Sequence, residues 1–267
     1  MIRRPKIFII ITILLLTLIF TLQGICQENV SRLDKILSRG YIIIGINLGF
    51  PPVGFYDEKG EPSGYDVDLA KDIAKTLDVE IRWEPVTNET RSAVLVSDKV
   101  DICFSNYTRT PGRAQVIDFT NPYVITGLEI LARKEHNIKS INDLFGKKVG
   151  VGKGTTCDLL LVEKYPEIER VTFDAVPDML LALTQNKIVA LLEDRVFVSP
   201  NAKKYPDLEE IGPLLNTDVN CVALRRGQPD WKSWLNIWLD DLNRSGRNNE
   251  YYKKYFGADL PKLSPQY

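Results

Sequence analysis

The stretch YDVDLAKDIAKTLDVEIRWEPVTNETRSAVLVSDKVDICF, residues 65–104, decides the fold. YDVDLAKDIAKTL has the spacing of an amphipathic helix, with an apolar face made by Val67, Ala70, Ile73, Ala74 and Leu77. VEIRWEPV then predicts a strand, TRSAVLVSDKV a short helix, and DICF a strand whose apolar start indicates burial on both faces. This alternation of helices and strands predicts a largely parallel sheet.

The segments before this stretch extend the same pattern. LDKILSRG predicts a short helix that ends at Gly40, and YIIIGIN predicts a buried strand. VGFYDEKGEPSG is rich in turn residues and predicts a hairpin-like excursion. The first unit of the chain therefore reads as an α/β unit with a hairpin inserted after its first strand.

A second α/β unit follows. Its predicted elements are the strand LEILAR, the short helix SINDLFG, the strand KKVGV, the helix TCDLLLVEKY, the strand VTFDA, the helix PDMLLALTQNK and the strand IVALLED. CVALRR then predicts a strand, and amphipathic helices follow it. Two such units leave a crevice between them, and crevices at the carboxyl ends of strands are where small ligands bind in these folds.

The last helices carry an aromatic stripe. Its members recur at helical spacing and are Trp231, Trp234, Leu235, Trp238 and Leu242. Such a stripe is typical of packing against a core rather than of a ligand platform.

The N-terminus, MIRRPKIFIIITILLLTLIFTLQGIC, is typical of a secretory signal over residues 1–26. Its uncharged run of 16 residues, 7–22, is shorter than the roughly 20 that span a bilayer as a helix, and a retained membrane anchor is the alternative. Cys26 also fits acylation as a lipoprotein, although Ile25 stands where such signals carry a small residue. The chain is therefore expected outside the cytoplasmic membrane, either periplasmic or extracellular.

Removal of the signal changes the formal net charge from −1 to −4, because Arg3, Arg4 and Lys6 leave with it. This mild acidity gives no support to nucleic-acid binding. The mature chain has three cysteines, 103, 157 and 221, no CxxC pair, and the single histidine His136, so neither a zinc site nor a cofactor is expected. One disulfide among the three cysteines is compatible with export, and the sequence leaves its pairing open.

The stretch VGVGKGTTC, residues 149–157, suggests an anion-binding turn. A nucleotide phosphate loop built on Gly152 and Lys153 would need Gly at 147 and Ser or Thr at 154, and the chain has Lys147 and Gly154. Successive backbone N–H groups at a glycine turn can nevertheless bind an anion of another kind.

The most informative stretch is SNYTRTPGRAQVIDFTNPY, residues 105–123. It follows the strand DICF and supplies hydroxyl groups before Arg113. A guanidinium group matches a carboxylate with two parallel hydrogen bonds, and hydroxyl and loop N–H groups add further donors. Taken alone, however, Arg113 is more typical of a surface residue at a helix start that makes an ordinary ion pair.

Several segments together resemble the family 3 extracellular solute-binding proteins, the amino-acid receptors of ABC importers. The resemblance covers nearly the whole mature chain and is strongest in GINLGFPPVGFYDEKGEPSGYDVDLAKDIA, DKVDICFSNYTRTPGRAQVIDFTNPY, KKVGVGKGTT and ALLED. It implies an α/β, periplasmic-binding-protein-like fold in which two lobes, joined by two crossing strands, close on a free amino acid. The expected lobes are 27–124 plus 222–267, and 125–221.

The resemblance also implies roles for individual residues. Arg113 matches the arginine that holds the ligand carboxylate, assisted by Thr108. Thr156, with Thr155 beside it, matches the turn of the second lobe that contacts the same carboxylate, so VGVGKGTTC is expected to bind a carboxylate. Asp194 matches the acid that pairs with the ligand ammonium.

Four further positions complete the expected site. Ser105 lies where a main-chain carbonyl or a hydroxyl also receives the ammonium. Phe50 matches an aromatic residue that stacks on the ligand side chain, with plain core packing as the alternative. Asn47 occupies a position that varies with the ligand. Arg91 either contacts the ligand or is a structural residue of its lobe.

The resemblance to the polar and cysteine-binding branch of the family, in GFPPVGFYDEKGEPSGYDV and SNYTRTPGRA, implies a small polar amino acid as ligand and a permease of the ABC importer as partner, with a monomer expected. Two other functions stay open: a dehydratase on the same fold, and a ligand-sensing receptor subunit that docks to another membrane protein. The dehydratase needs an acid or base beside its substrate. Glu193 is adjacent to Asp194, but neighbours on one strand point to opposite faces, so Glu193 is expected to face away.

Overall fold

The computed structural model describes residues 30–262 and contains two five-stranded sheets with helices packed against them. The helices are α1 (Arg32–Arg39), α2 (Tyr65–Leu77), α3 (Arg91–Val96), α4 (Thr156–Lys164), α5 (Val176–Thr184), α6 (Arg195–Lys204), α7 (Pro229–Arg244) and α8 (Arg247–Phe256). Single turns of 3-10 helix lie at Arg113–Gln115, Lys134–His136 and Ile141–Leu144.

The strands follow the same order along the chain. They are β1 (Tyr41–Ile46), β2 (Phe55–Tyr56), β3 (Pro62–Ser63), β4 (Glu80–Pro85), β5 (Ile102–Phe104), β6 (Ile117–Thr126), β7 (Leu128–Arg133), β8 (Lys148–Gly152), β9 (Glu169–Phe173), β10 (Ala190–Asp194), β11 (Leu208–Ile211) and β12 (Asp218–Arg225). The predicted hairpin is the small sheet of β2 and β3.

The first sheet has the order β4-β1-β5-β12-β6 and, with its helices, forms the first lobe. The second sheet has the order β11-β7-β10-β8-β9 and forms the second lobe. The pairs β1–β4, β1–β5, β8–β9 and β8–β10 are parallel, as the alternation of strands and helices predicts. Strands β6 and β12 of the first sheet and β7 of the second pair in the antiparallel sense.

The chain passes between the lobes twice, after β6 and before β12. These two crossing segments touch each other: the Leu128 N–H donates to the Asn216 side chain at 2.9 Å. A Cβ on Gly127 would come within 2.4 Å of the Asn216 carbonyl oxygen, so only glycine permits this close approach. The expected lobe boundaries, after 124 and after 221, fall inside β6 and β12, and a division of the chain at those two points stays a prediction.

The aromatic stripe of α7 packs into the first lobe, as predicted. Trp231, Leu235 and Leu242 are completely buried, and the indole N–H of Trp238 donates to buried Asp72 at 2.8 Å. Cys103, Cys157 and Cys221 are free, buried thiols, so no disulfide joins any two of them. No helix within residues 30–262 is long and apolar enough to cross a membrane. The expected signal sequence, including Cys26, lies outside the described residues.

Candidate ligand-binding site

A cavity of about 20 Å³ lies between the two lobes, at the carboxyl ends of β1, β5, β8 and β10. Its wall is polar and combines cationic, anionic, hydroxyl and amide side chains: Asn47, Phe50, Asn88, Arg91, Asn106, Thr108, Arg113, Thr155, Thr156, Glu193 and Asp194. All the residues expected from the sequence line this cavity except Ser105, whose side chain is buried behind it.

Arg113 begins a 3-10 turn in the loop after β5 and reaches across the cleft. Its Nη1 donates to the Thr108 carbonyl at 2.8 Å, and its Nη2 donates to the Gly154 carbonyl of the second lobe at 3.2 Å. Burial, followed by the nearby charge of Arg91, lowers the Arg113 pKa to about 10. The guanidinium therefore stays charged at neutral pH and supplies a fixed positive group to the cavity.

Arg91 makes structural contacts inside its lobe, and its contact with the ligand stays a prediction. Its Nη1 donates to the Ser105 carbonyl at 2.8 Å, and its guanidinium carbon lies 3.8 Å from the centre of the Tyr107 ring. It also lines the cavity, and its buried Nε has no hydrogen-bond partner among the described residues. The Ser105 carbonyl thus accepts from Arg91, the Ser105 hydroxyl accepts from the Cys103 thiol at 3.5 Å, and a role of Ser105 in binding the ammonium stays a prediction.

A chain of side-chain hydrogen bonds connects Thr108 to Asp194 across the cleft. The Thr108 hydroxyl donates to Asn220 Oδ1 at 3.2 Å, and Asn220 Nδ2 donates to Asn106 Oδ1 at 2.5 Å. Asn106 Nδ2 in turn donates to the Asp194 carboxylate of the second lobe. Asn106 adopts a positive φ of 49°, and its N–H is held by buried Asp66 Oδ2 at 2.8 Å, so the network fixes this amide.

Glu193 and Asp194 both line the cavity, so the expectation that Glu193 faces away is wrong. Asp194 is both the last residue of β10 and the N-cap of α6, and it keeps extended backbone angles and its pairing with Leu128. The Glu193 side chain instead bends back along the strand, so that its Oε1 accepts the Asp194 N–H at 3.0 Å and its carboxyl group reaches the cavity. Glu193 Oε2 and Asp194 Oδ1 are buried and have no partner among the described residues.

Burial shifts the titration of this acidic pair to neutral pH. It raises the Glu193 pKa to about 8, with the charge of Asp194 as the next cause. It raises the Asp194 pKa to about 7, where the Asn106 hydrogen bond acts in the opposite direction. Because the groups are adjacent, they titrate as a pair. Carboxyl groups that titrate near pH 7 in a cleft are typical of a functional site.

The glycine turn of the second lobe presents the N-terminus of α4 to the cavity. Thr155 is the N-cap: its hydroxyl oxygen accepts the Asp158 N–H at 3.3 Å and donates to the Gly152 carbonyl at 2.7 Å. Thr156 is the first helical residue, so its N–H has no acceptor inside the helix. A helix N-terminus with free N–H groups and a partial positive charge favours an anion.

Phe50 and Asn47 form the remaining side of the cavity. The Phe50 ring is buried and packs on Phe197 of the second lobe, with ring centres 5.6 Å apart, so it is a core residue whose edge also lines the cavity. Asn47 donates through Nδ2 to Asn88 Oδ1 at 3.4 Å and accepts the Gly49 N–H at 2.9 Å.

Three residues that line the cavity are not predicted from the sequence: Asn88, Asn106 and Glu193. Asn106 stands inside the stretch SNYTR and next to Ser105, so that motif could have found it. Asn88 lies in the loop between β4 and α3 and carries no sequence signal. Glu193 is missed because strand alternation predicts that it faces away from Asp194.

A larger hollow of about 590 Å³ lies elsewhere, between Pro51, Pro52 and the helices α5 and α6. Prolines and apolar side chains dominate it. Because convergent charged and hydrogen-bonding groups define a ligand site better than volume does, the small polar cavity is the candidate site. Within residues 30–262 no three His, Cys, Asp or Glu side chains are grouped to hold a metal ion.

The known proteins that are similar to this chain in sequence agree on one family. Residues 42–258 match the family described as bacterial extracellular solute-binding proteins, family 3. The chain is 32% identical over 233 residues to the L-cystine-binding protein TcyJ of Escherichia coli, covering 86% of this chain and 88% of that protein.

Solved structures agree with this match. The cysteine-binding protein of Campylobacter jejuni superposes with a TM-score of 0.82 at 33% identity, covering 88% of this chain and 96% of that one. The ancestral amino acid-binding protein AncCDT-1, a precursor of cyclohexadienyl dehydratase, superposes with a TM-score of 0.80 at 31% identity, covering 85% and 100%.

Proposed function

We propose, because the chain belongs to the bacterial extracellular solute-binding proteins of family 3, that it binds a free polar amino acid outside the cytoplasmic membrane and delivers it to an ABC-type importer. The similarity to a cystine-binding and a cysteine-binding protein supports a polar amino acid as the ligand.

The observation that carries this proposal is the pairing of opposite charges from the two lobes in one cavity. Arg113 comes from the first lobe and Asp194 from the second, and both line the same small space. A free amino acid carries one carboxylate and one ammonium group. In the proposed complex Arg113, Thr108 and the α4 N-terminus at Thr156 bind the carboxylate, and Asp194 Oδ1 accepts from the ammonium.

Binding in this cleft requires the lobes to move. A cavity of about 20 Å³ has room for about one water molecule, so an amino acid enters only when the lobes separate. The crossing segments near Gly127 and Asn216 are the natural hinge, because they are the two places where the chain passes between the sheets. Closing the lobes then buries both charges of the ligand, which is tolerable when each has a hydrogen-bonded partner.

The proposed cellular setting follows from the family and the N-terminus. Residues 1–26 direct export and are removed, with Cys26 acylation or a retained helix as the alternatives. The closed protein then presents both lobes to the permease as a monomer. Docking to a sensor protein instead would use the same closed form.

Binding without turnover is the proposed activity, and a dehydratase is the second candidate. AncCDT-1 is itself an amino acid-binding protein but a precursor of a dehydratase, and the buried Glu193, whose pKa burial raises to about 8, is an acid of the kind that such an enzyme needs. NMR spectra of each bound amino acid, recorded over a day, distinguish the two, because elimination of water converts the amino acid into a product with different resonances. Unchanged spectra support a binding protein.

A thermal-shift screen of the purified protein against the twenty amino acids and cystine tests the proposal. A ligand at 100 times its dissociation constant adds about 2.7 kcal/mol to the free energy of unfolding. Arg113→Ala leaves the ligand carboxylate buried without its partner, which costs about 3–5 kcal/mol. We therefore expect a loss of affinity of roughly 150- to 5,000-fold by calorimetry.

The matched control is Arg109→Ala. Arg109 lies in the same loop, but its Nη1 faces the Thr120 carbonyl at 3.5 Å and the residue does not line the cavity. The control should bind the ligand within a few-fold of the unmodified protein. Near-normal affinity in a folded Arg113→Ala protein would contradict the assignment.

A further inference from the structure

Three buried polar atoms in the cavity wall lack a hydrogen-bond partner among the described residues: Asp194 Oδ1, Glu193 Oε2 and Arg91 Nε. Their side chains belong to residues that are only 3%, 4% and 3% exposed. Buried polar atoms are nearly always paired in native proteins, so each such atom in a cleft indicates a group of the ligand. Under the proposed function the ammonium accounts for Asp194 Oδ1, and two atoms remain.

The two remaining atoms differ in their hydrogen-bonding properties. Arg91 Nε can only donate a hydrogen bond, whereas Glu193 Oε2 accepts one as a carboxylate oxygen and can also donate one when the carboxyl group is protonated. One other atom of each group is already engaged: Arg91 Nη1 donates to the Ser105 carbonyl, and Glu193 Oε1 accepts the Asp194 N–H. These bonds hold both side chains in place, and Arg91 Nε and Glu193 Oε2 are left for a ligand.

The backbone keeps the space in front of this pair open. A Cβ on Gly152 would lie 2.9 Å from the Thr155 methyl carbon, 3.6 Å from Asn88 Nδ2 and 3.7 Å from Glu193 Oε2. Glycine at this position therefore relieves a close contact inside the turn and also keeps a side chain away from the space that Asn88 and Glu193 border.

We propose that Glu193 and Arg91 form the subsite for the ligand's side chain, and that this subsite selects neutral side chains able both to donate and to accept a hydrogen bond. Hydroxyl, thiol and carboxamide groups have this property. The inference rests on the proposed function, because it assigns the ammonium to Asp194 and the carboxylate to Arg113.

Other classes of side chain are a poorer match for Arg91 Nε and Glu193 Oε2. A carboxylate accepts from Arg91 but adds a negative charge beside Glu193 and Asp194, so it binds only while Glu193 holds its proton and its affinity falls as the pH rises through about 8. An ammonium or guanidinium group donates to Glu193 but meets the positive charge of Arg91. An alkyl group leaves both protein atoms buried without partners, which opposes binding.

Calorimetry with matched pairs of amino acids tests this selectivity. L-Serine and L-cysteine are compared with L-2-aminobutyrate, which has a methyl group in place of the hydroxyl or thiol, and L-asparagine is compared with L-leucine. L-Aspartate and L-lysine test the charged classes. At least one polar member should bind about tenfold or more tightly than its apolar counterpart and than both charged amino acids.

Substitution of Glu193 separates ligand contact from a structural role. Glu193→Met keeps the side-chain length but removes the acceptor, and it should reduce the polar-to-apolar affinity ratio to within about threefold. Glu193→Gln retains a carbonyl acceptor and should keep most of the ratio. The ratio is the readout, because loss of the bond to the Asp194 N–H weakens every amino acid alike.

Each alternative outcome has its own meaning. An unchanged ratio in folded Glu193→Met would overturn the role of Glu193. Tightest binding of aspartate, lysine or an apolar amino acid by the unmodified protein would overturn the selectivity. If no amino acid binds the unmodified protein, the proposed function itself fails, and this inference fails with it.

Discussion

Three almost completely buried carboxyl groups, Asp66, Glu193 and Asp194, have pKa values raised to about 7, 8 and 7. In each case burial is the main cause, because it disfavours the charged form. Asp66 has a positioning role, since its oxygens accept the Asn106 N–H at 2.8 Å and the Tyr123 hydroxyl at 2.9 Å. Glu193 and Asp194 instead line the cavity, so the cleft contains two carboxyl groups that titrate near neutral pH.

The raised pKa of Glu193 makes stability depend on pH. An acid whose pKa rises from 4.5 to about 8 on folding contributes stability that is fully present below pH 4.5 and lost as the pH rises through 8. The side chain in Glu193→Gln has no charge to bury, so the variant does not lose this stability as the pH rises. Urea unfolding should therefore show a larger gain in unfolding free energy for the variant at pH 8 than at pH 5. The control is Glu58→Gln on an exposed turn; equal gains at both pH values for Glu193→Gln would contradict the burial argument.

At the scale of elements, the helices that the apolar pattern predicts form where expected, and the differences have local causes. Helix α6 lies in RVFVSPNAKK, where β-branched residues and Pro200 weaken helix propensity and hide it from a sequence reading. Its burial of Phe197 and Val198 supplies the stabilisation that propensity does not. Strand β11 is equally hidden, because LEEI becomes a strand only by pairing with β7.

The junction between the hairpin and α2 depends on Gly64. It has a φ of 126°, and a Cβ there would lie 2.3 Å from the Val53 carbonyl oxygen. Gly64→Ala should therefore lower the unfolding free energy by at least about 2 kcal/mol, through backbone strain and a clash that the backbone cannot relieve. Chemical denaturation measures this.

Gly60 in the same hairpin is the matched control. Its φ is 79°, but a Cβ added at this position would meet no other atom within 4 Å. Gly60→Ala carries only the conformational cost of a left-handed residue, about 1 kcal/mol. Equal losses for the two variants would show that close packing at Gly64 does not matter.

For the whole molecule, the decisive contacts are those that join the lobes across the cleft. They include the Arg113 bond to the Gly154 carbonyl, the Asn106 bond to Asp194 and an ion pair between Lys153 Nζ and Glu89 Oε1 at 2.8 Å. The ion pair lies at the rim and is half exposed. It stabilises the closed arrangement without touching the proposed ligand atoms.

Lys153→Ala should weaken ligand binding by less than about fivefold at low salt, because exposed ion pairs contribute little. The difference should vanish in about 1 M NaCl, where the charges are screened. Lys148→Ala is the control, since Lys148 pairs with Glu169 inside the second lobe. Calorimetric titration at both salt concentrations measures the effect, and an equal loss in the control would show that closure is not involved.

The sequence by itself determined the local elements and most of the site's chemistry. Neighbouring residues in the chain are enough to predict the 3.6-residue repeat of α2, the buried run of β1 and the glycine turn before α4. The same is true of the hydroxyl and arginine groups around Thr108 and Arg113. These residues carry recognisable patterns because local geometry or ligand chemistry requires particular side chains at fixed spacing.

Only the tertiary structure decided which side chains meet. Glu193 lines the cavity because its side chain bends back to accept the Asp194 N–H, and Asn88 reaches the cavity from a loop with no pattern of its own. The Ser105 carbonyl accepts a hydrogen bond from Arg91, which lies fourteen positions earlier in the chain. Burial and unpaired polar atoms result from packing between distant segments, so hydrophobic periodicity and motif spacing do not predict them.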